Sequence, residues 1–121
     1  MQDQVELMQD LIRVSGESCE EQRISDKLRE LLIDAGVPAR SIRSDDAHKR
    51  SAYGGETGNL IVTLDGDRSS DRIMLSTHMD TIPIAVGSKP EVVDGRLIDG
   101  QPGHSLGGDA RAGCAILLGA I

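Results

Sequence analysis

Three side chains in this sequence could form a metal site: His78, Asp80 and Asp109. His78 and Asp80 follow a predicted strand and are one residue apart, so an extended backbone would place both side chains on one side. An imidazole nitrogen can bind a metal while a carboxylate accepts the hydrogen of the other ring nitrogen and fixes the ring orientation. A partly exposed histidine near an ordinary surface aspartate would give the same tripeptide, His78-Met79-Asp80. The pair alone therefore does not decide between a metal site and two surface residues.

Asp109 follows two glycines and precedes an apolar helix predicted over residues 110–121. A carboxylate at this place is a good helix N-cap, because its oxygen can accept a hydrogen bond from a free backbone N–H. Presented by a Gly-Gly turn, the same carboxylate could instead bridge two cations. The residues alone do not choose between these two roles.

Taken together, the segments around these residues resemble a known family. Ser76–Pro83 resembles the first metal motif of the zinc peptidases that include tripeptide aminopeptidase (peptidase T-like), carboxypeptidase G and aminoacylase, and Leu106–Ala115 resembles the second. Gly58–Leu60 and the turn at Asp94-Gly95 also fit the pattern. The similarity therefore spans most of the chain, with the motifs in the family's order.

The resemblance implies an α/β fold, the three-layer α-β-α catalytic domain of a zinc exopeptidase, with a central sheet, a hairpin and flanking helices. Residues 1–121 would be the incomplete amino-terminal part of that domain. His78 would bind one of two zinc ions, Asp109 would bridge both, and Asp80 would be the catalytic carboxylate that orients and polarises His78. The family's paired glutamates, a further acidic ligand and a final histidine are expected beyond Ile121.

Several other residues are weaker candidates. Relatives usually carry a second acid after the bridging aspartate, and Ala110 takes its place here. His48 and His104 lie in predicted loops and match no ligand position of the family. Glu20-Glu21 is predicted to be solvated charge in the first turn of a helix that Ser18 caps.

The implied activity is hydrolysis of short peptides by a metallopeptidase of the tripeptide aminopeptidase type. A carboxypeptidase or an N-acyl-amino-acid deacylase of the same family is an alternative, because the front motifs are shared. A third possibility is a non-catalytic domain that associates with itself through its apolar last helix. A catalytic zinc takes about three protein ligands, so a chain with two is expected to be inactive by itself.

The composition of the chain limits which binding partners and which cellular location are expected. The net charge is −7, from 20 acidic and 13 basic residues, so nucleic acid is not an expected partner. The apolar runs are too short to span a membrane, so a membrane is not an expected partner either. Residues 1–10 are acidic and do not resemble a signal peptide. Cys19 and Cys114 lie in no paired motif, which favours a reduced, cytoplasmic protein.

The pattern of apolar residues predicts the elements that position the site. Helices are expected over residues 3–14, 18–36 and 110–121. The expected strands are 37–43, 59–64 and 72–77, together with a hairpin that turns at Asp94-Gly95. The apolar run Ile73–Leu75 favours a central strand covered on both faces.

Overall fold

The structure is a computed structural model that describes residues 3–67 and 69–121. In this part of the chain, three α-helices accompany two separate two-stranded antiparallel sheets. The elements in order are α1 (Gln4–Arg13), α2 (Gln22–Asp34), β1 (Ile42–Ser44), β2 (Leu60–Val62), β3 (Pro90–Val93), β4 (Arg96–Asp99) and α3 (Gly108–Gly119). The predicted α/β class is confirmed. The domain boundary predicted at residue 1 and the start of the acidic segment 1–10 lie outside the described residues.

An aliphatic core joins the three helices. Leu11 of α1 and Ile24 of α2 are fully buried, and they cluster with Cys114 and Ala115 of α3. The helical spacing of apolar residues in 3–14 and 18–36 places one face of each helix on this core. Cys114 is thus a buried packing residue of α3.

The first sheet extends the core at the far end of α2. Leu32, Val37 and Ile42 form a second buried cluster against which Val62 packs. β1 and β2 pair antiparallel, with Ile42 opposite Val62. The expected strands 37–43 and 59–64 are therefore present but shorter. The first begins only at Ile42, because residues 39–41 form a 3₁₀ turn.

The second sheet is the hairpin that the turn residues predict. β3 and β4 pair antiparallel, with Val93 opposite Arg96. Asp94 and Gly95 have φ angles of 50° and 72°. These left-handed conformations suit a two-residue hairpin turn and are easiest for glycine and aspartate.

The predicted central strand over residues 72–77 is wrong. The segment has no strand pairing in the described residues. Ile73, Met74 and Leu75 are 85%, 88% and 65% exposed. A strand is held by backbone hydrogen bonds to its neighbours, and the described part of the chain offers this apolar run neither a neighbouring strand nor a covering layer.

The predicted start of the second helix is also wrong. α2 begins at Gln22, whose N–H donates to a Glu56 carboxylate oxygen at 3.1 Å. Cys19 therefore precedes the helix and has a φ of 75°. Ser18 does not cap α2, because its hydroxyl is used elsewhere, as described below. Among the described residues, no helix has the length and apolar character needed to cross a membrane.

Candidate metal centre

The structure brings His78, Asp80 and Asp109 together around one imidazole ring. His78 Nδ1 lies 2.9 Å from Asp80 Oδ1, and His78 Nε2 lies 2.9 Å from Asp109 Oδ1. Asp80 is on the same side of the extended segment as His78, whereas Asp109 arrives from the start of α3, 31 residues away in sequence. The ring is therefore held between two carboxylates, one at each nitrogen.

The start of α3 turns Asp109 toward His78. Gly107, at the N-cap position, has a φ of 77°, and Asp109 and Ala110 have non-helical backbone angles. The Asp109–Ala110 peptide bond is cis. The Asp109 side chain is 93% exposed, so its carboxylate remains open to solvent although it contacts His78.

Helix α3 also supports the segment that carries His78. A Cβ added to Gly113 would clash with Thr77 Oγ1, so the absent side chain lets the segment lie directly on the helix. One residue later, Cys114 Sγ lies 3.5 Å from the carbonyl oxygen of His78. The helix that presents Asp109 thus also fixes the backbone of His78.

Two further side chains contact or neighbour the site, and the sequence pattern did not assign either of them to it. Ser18 Oγ donates to Asp80 Oδ2 at 2.5 Å. The guanidinium of Arg111 is buried and donates from Nη2 to the carbonyl oxygen of Val14 at 3.0 Å. Ser18 lies 62 residues from Asp80, and no local pattern signals a contact at that separation.

The carboxylates raise the basicity of His78. Its hydrogen bond with Asp109, and then that with Asp80, raise the pKa of His78 despite partial burial. Burial would raise the pKa of Asp80, but the hydrogen bonds from Ser18 and His78 outweigh it and lower that pKa. Asp80 is therefore held as a carboxylate that accepts a hydrogen bond at each oxygen.

The weaker candidates have other places in the fold. His48 is in a 3₁₀ turn, and His104 Nδ1 is 3.9 Å from Asp99 Oδ2. Glu21 accepts a hydrogen bond from the backbone N–H of Cys19 at 2.8 Å. Within residues 3–67 and 69–121, no group of three or more histidine, cysteine or acidic side chains is arranged to hold a metal. The candidate site therefore has two potential metal ligands among the described residues, His78 and Asp109.

Comparison with known proteins identifies the fold. No protein-family model matches the chain. A tripeptidase from Staphylococcus aureus matches 95% of this chain with a TM-score of 0.82 and 28% identity, and aminopeptidase PepT from Bacillus cereus matches 95% with a TM-score of 0.82 and 31% identity. The chain has the fold of part of a peptidase.

The match covers only part of each relative. The chain spans 30% of both peptidase structures. It is also 34% identical over 113 residues to the Bacillus subtilis protein YqjE, of which it spans 29%. The peptidase likeness therefore concerns less than a third of the relatives' length.

Proposed function

We propose that residues 1–121 form one part of the catalytic domain of a zinc-dependent peptidase that hydrolyses short peptides, as an aminopeptidase of the tripeptidase type. The imidazole of His78 between Asp80 and Asp109, at 2.9 Å on each side, carries this proposal. The likeness to a tripeptidase and to an aminopeptidase supports it. The alternatives of a carboxypeptidase or an N-acyl-amino-acid deacylase use the same front residues.

The donor set fits zinc. Imidazole nitrogen and carboxylate oxygen are both ordinary zinc ligands, and two such atoms on one tetrahedral ion lie about 3.3 Å apart. His78 Nε2 and Asp109 Oδ1 are 2.9 Å apart, so a small opening would accommodate the ion. Asp80 on the other ring nitrogen is the outer carboxylate that zinc-binding histidines usually have.

Each of the three residues of the site has a defined role in this proposal. A bound zinc ion would polarise the peptide carbonyl and supply an activated water. Asp80 holds the His78 ring so that Nε2 faces Asp109, and its lowered pKa keeps it ionised. The exposed Asp109 carboxylate has a second oxygen with which it could bridge a second ion.

The 121 residues are expected to be inactive by themselves. A catalytic zinc takes about three protein ligands and an open position, whereas His78 and Asp109 supply two. We propose that the remaining ligands and the general base come from sequence outside these residues, in keeping with the 30% share of the peptidase structures. Incubating the chain with a tripeptide and zinc should release no amino acid, and release at an enzymatic rate would contradict this division.

The metal site is tested by the zinc affinity of the chain. Calorimetric titration of zinc should show binding that is lost in His78→Ala. The matched control is His48→Ala, which removes an imidazole that is not part of the candidate site and should leave the affinity unchanged. Equal zinc binding by His78→Ala and the unmodified chain would refute the assignment.

Substrate class needs a protein that contains the whole site. A tripeptide with a free amino terminus and its N-acetylated form separate the three activities. The aminopeptidase proposal expects loss of the first residue from the free peptide only, a carboxypeptidase would shorten both from the other end, and a deacylase would release acetate. The cytoplasmic location expected from the sequence is part of the same proposal. So is the expectation that the chain binds neither nucleic acid nor a membrane.

Exposed apolar side chains support a second candidate, self-association without catalysis. Ile116 of α3 is 68% exposed, and Ile121 beyond its end is 49% exposed. Burying such side chains would favour a homo-oligomer through the last helix. Sedimentation would show a dimer for this candidate, whereas a monomer at all concentrations would exclude it.

A further inference from the structure

We propose that Ser18 is a positioning residue that fixes the Asp80 carboxylate in the plane that His78 requires. The inference rests on the proposed metal centre and deepens it by adding a fourth member to the series Asp109, His78, Asp80. Ser18 contacts neither predicted ligand and acts through Asp80 alone.

The two oxygens of Asp80 are used by different partners. Oδ2 accepts from the Ser18 hydroxyl at 2.5 Å, and Oδ1 lies 2.9 Å from His78 Nδ1. The terminal torsion of an aspartate is soft, so one hydrogen bond leaves the carboxylate free to swing. Two hydrogen bonds at opposite oxygens define its plane, and Ser18 supplies the second.

The backbone on both sides of Ser18 is anchored. Thr81 donates its N–H to the carbonyl oxygen of Gly16 at 2.9 Å, which ties the turn directly to the residue after Asp80. On the other side, the N–H of Glu56 donates to the carbonyl oxygen of Cys19 at 3.2 Å. The hydroxyl therefore starts from a fixed position, as a positioning group must.

Arg111 supports the segment from Val14 to Gly16, which leads into Ser18. Arg111 Nη2 donates to the carbonyl oxygen of Val14 at 3.0 Å, and a Cβ on Gly16 would come within 2.9 Å of that nitrogen. In the described part of the chain, Arg111 Nε and Nη1 have no hydrogen-bond partner. The buried guanidinium of Arg111 thus packs directly against the turn that leads to Ser18.

Nitrogen NMR of the histidine ring tests the proposal in the metal-free chain. Ser18→Ala should move the His78 ring nitrogen signals, whereas Ser18→Thr, which keeps the hydroxyl, should restore them. His104 is an internal reference that should not move. Ser51→Ala is the matched control, because its hydroxyl donates to the nearby carbonyls of His48 and Gly54.

Zinc titration of the same variants supplies the second measurement. Loss of a partner outside the ligand shell weakens metal binding by roughly 10- to 100-fold, and Ser18→Ala should weaken it about tenfold. Unchanged His78 ring signals in Ser18→Ala would overturn the role of Ser18, whatever the affinity for zinc. Equal zinc binding by His78→Ala would instead overturn the proposed metal centre, and the ring signals would still decide on Ser18.

Discussion

At the scale of single residues, the sequence predicted the two carboxylates that contact His78, but not the side chains that position them. The spacing of His78 and Asp80 placed both side chains on one side of an extended segment, and the structure shows the 2.9 Å contact. Ser18 and Arg111 were missed because their contacts join distant parts of the chain. A serine before a helix is an equally good N-cap, so only the fold reveals its contact with Asp80.

Asp80→Asn should weaken zinc binding by roughly 10- to 100-fold. The amide keeps the size of the side chain but loses the charge that orients and polarises the His78 ring. Zinc titration measures the effect, and Asp94→Asn is the control, since asparagine tolerates the left-handed backbone at that hairpin turn. Equal weakening in both variants would show that the effect is not specific to Asp80.

Gly16→Ala should destabilise the chain by about 1–3 kcal/mol through overpacking. The added Cβ would come within 2.7 Å of Ile24 Cγ2 and 2.9 Å of Arg111 Nη2. This cost exceeds the gain of about 0.4–1 kcal/mol that alanine brings by restricting the unfolded chain. Gly66→Ala meets nothing within 4 Å and is the control in denaturant unfolding. A Gly16→Ala variant as stable as the control would contradict the close packing of this turn.

At the scale of elements, local signals predicted what local contacts determine. The hairpin at Asp94-Gly95 and the apolar faces of α1 and α2 are confirmed, because turn conformation and helical spacing are properties of neighbouring residues. The strand predicted over residues 72–77 failed, because strand pairing requires a partner elsewhere in the chain. The same limit explains why the start of α2 was misplaced, since Glu56 caps it from a distant loop.

The loop that carries Glu56 is closed by Asp45. The carboxylate accepts from the side chain of Asn59 at 2.9 Å and from the backbone N–H groups of Ala47 and Asn59. These bonds, the side chain of Asn59 first, lower the pKa of Asp45. Asp45→Ala should therefore lower the melting temperature at pH 7.

The pH dependence of this effect follows from the sign of the shift. A carboxyl whose pKa is lowered by folding stabilises the protein above its unfolded pKa, and this stabilisation is lost as the pH falls through the folded pKa. The melting temperatures of Asp45→Ala and the unmodified chain should therefore converge in acid. Asp71→Ala, at an exposed site, is the control, and a gap that persists below the folded pKa of Asp45 would contradict the assignment.

At the scale of the whole molecule, the α/β class and the peptidase likeness agree, but apolar surface remains exposed. Ile73, Met74 and Ile116 are 85%, 88% and 68% exposed, and the chain spans 30% of the peptidases that it matches. The sequence predicts, from its two ligand positions, that the chain is one part of a larger catalytic domain, and this stays a prediction. It could not predict which surfaces stay open, because exposure depends on what packs against them.

Ile116→Lys should reduce self-association if the last helix forms an interface. A charge at the centre of an apolar contact opposes its burial, so the sedimentation coefficient should fall toward that of the monomer. Ile33→Lys, at a 46% exposed position of α2, is the control. Association that is equal in both variants would assign the contact to another surface.

In the proposed metal centre, His78 and Asp109 bind the same metal ion. The most direct test is a crystal of the chain soaked in zinc and measured at the zinc absorption edge. We expect an anomalous peak about 2.0–2.2 Å from both His78 Nε2 and an Asp109 carboxylate oxygen, with Asp80 still on Nδ1. A peak elsewhere, for example between His104 and Asp99, or none beside His78, would contradict it.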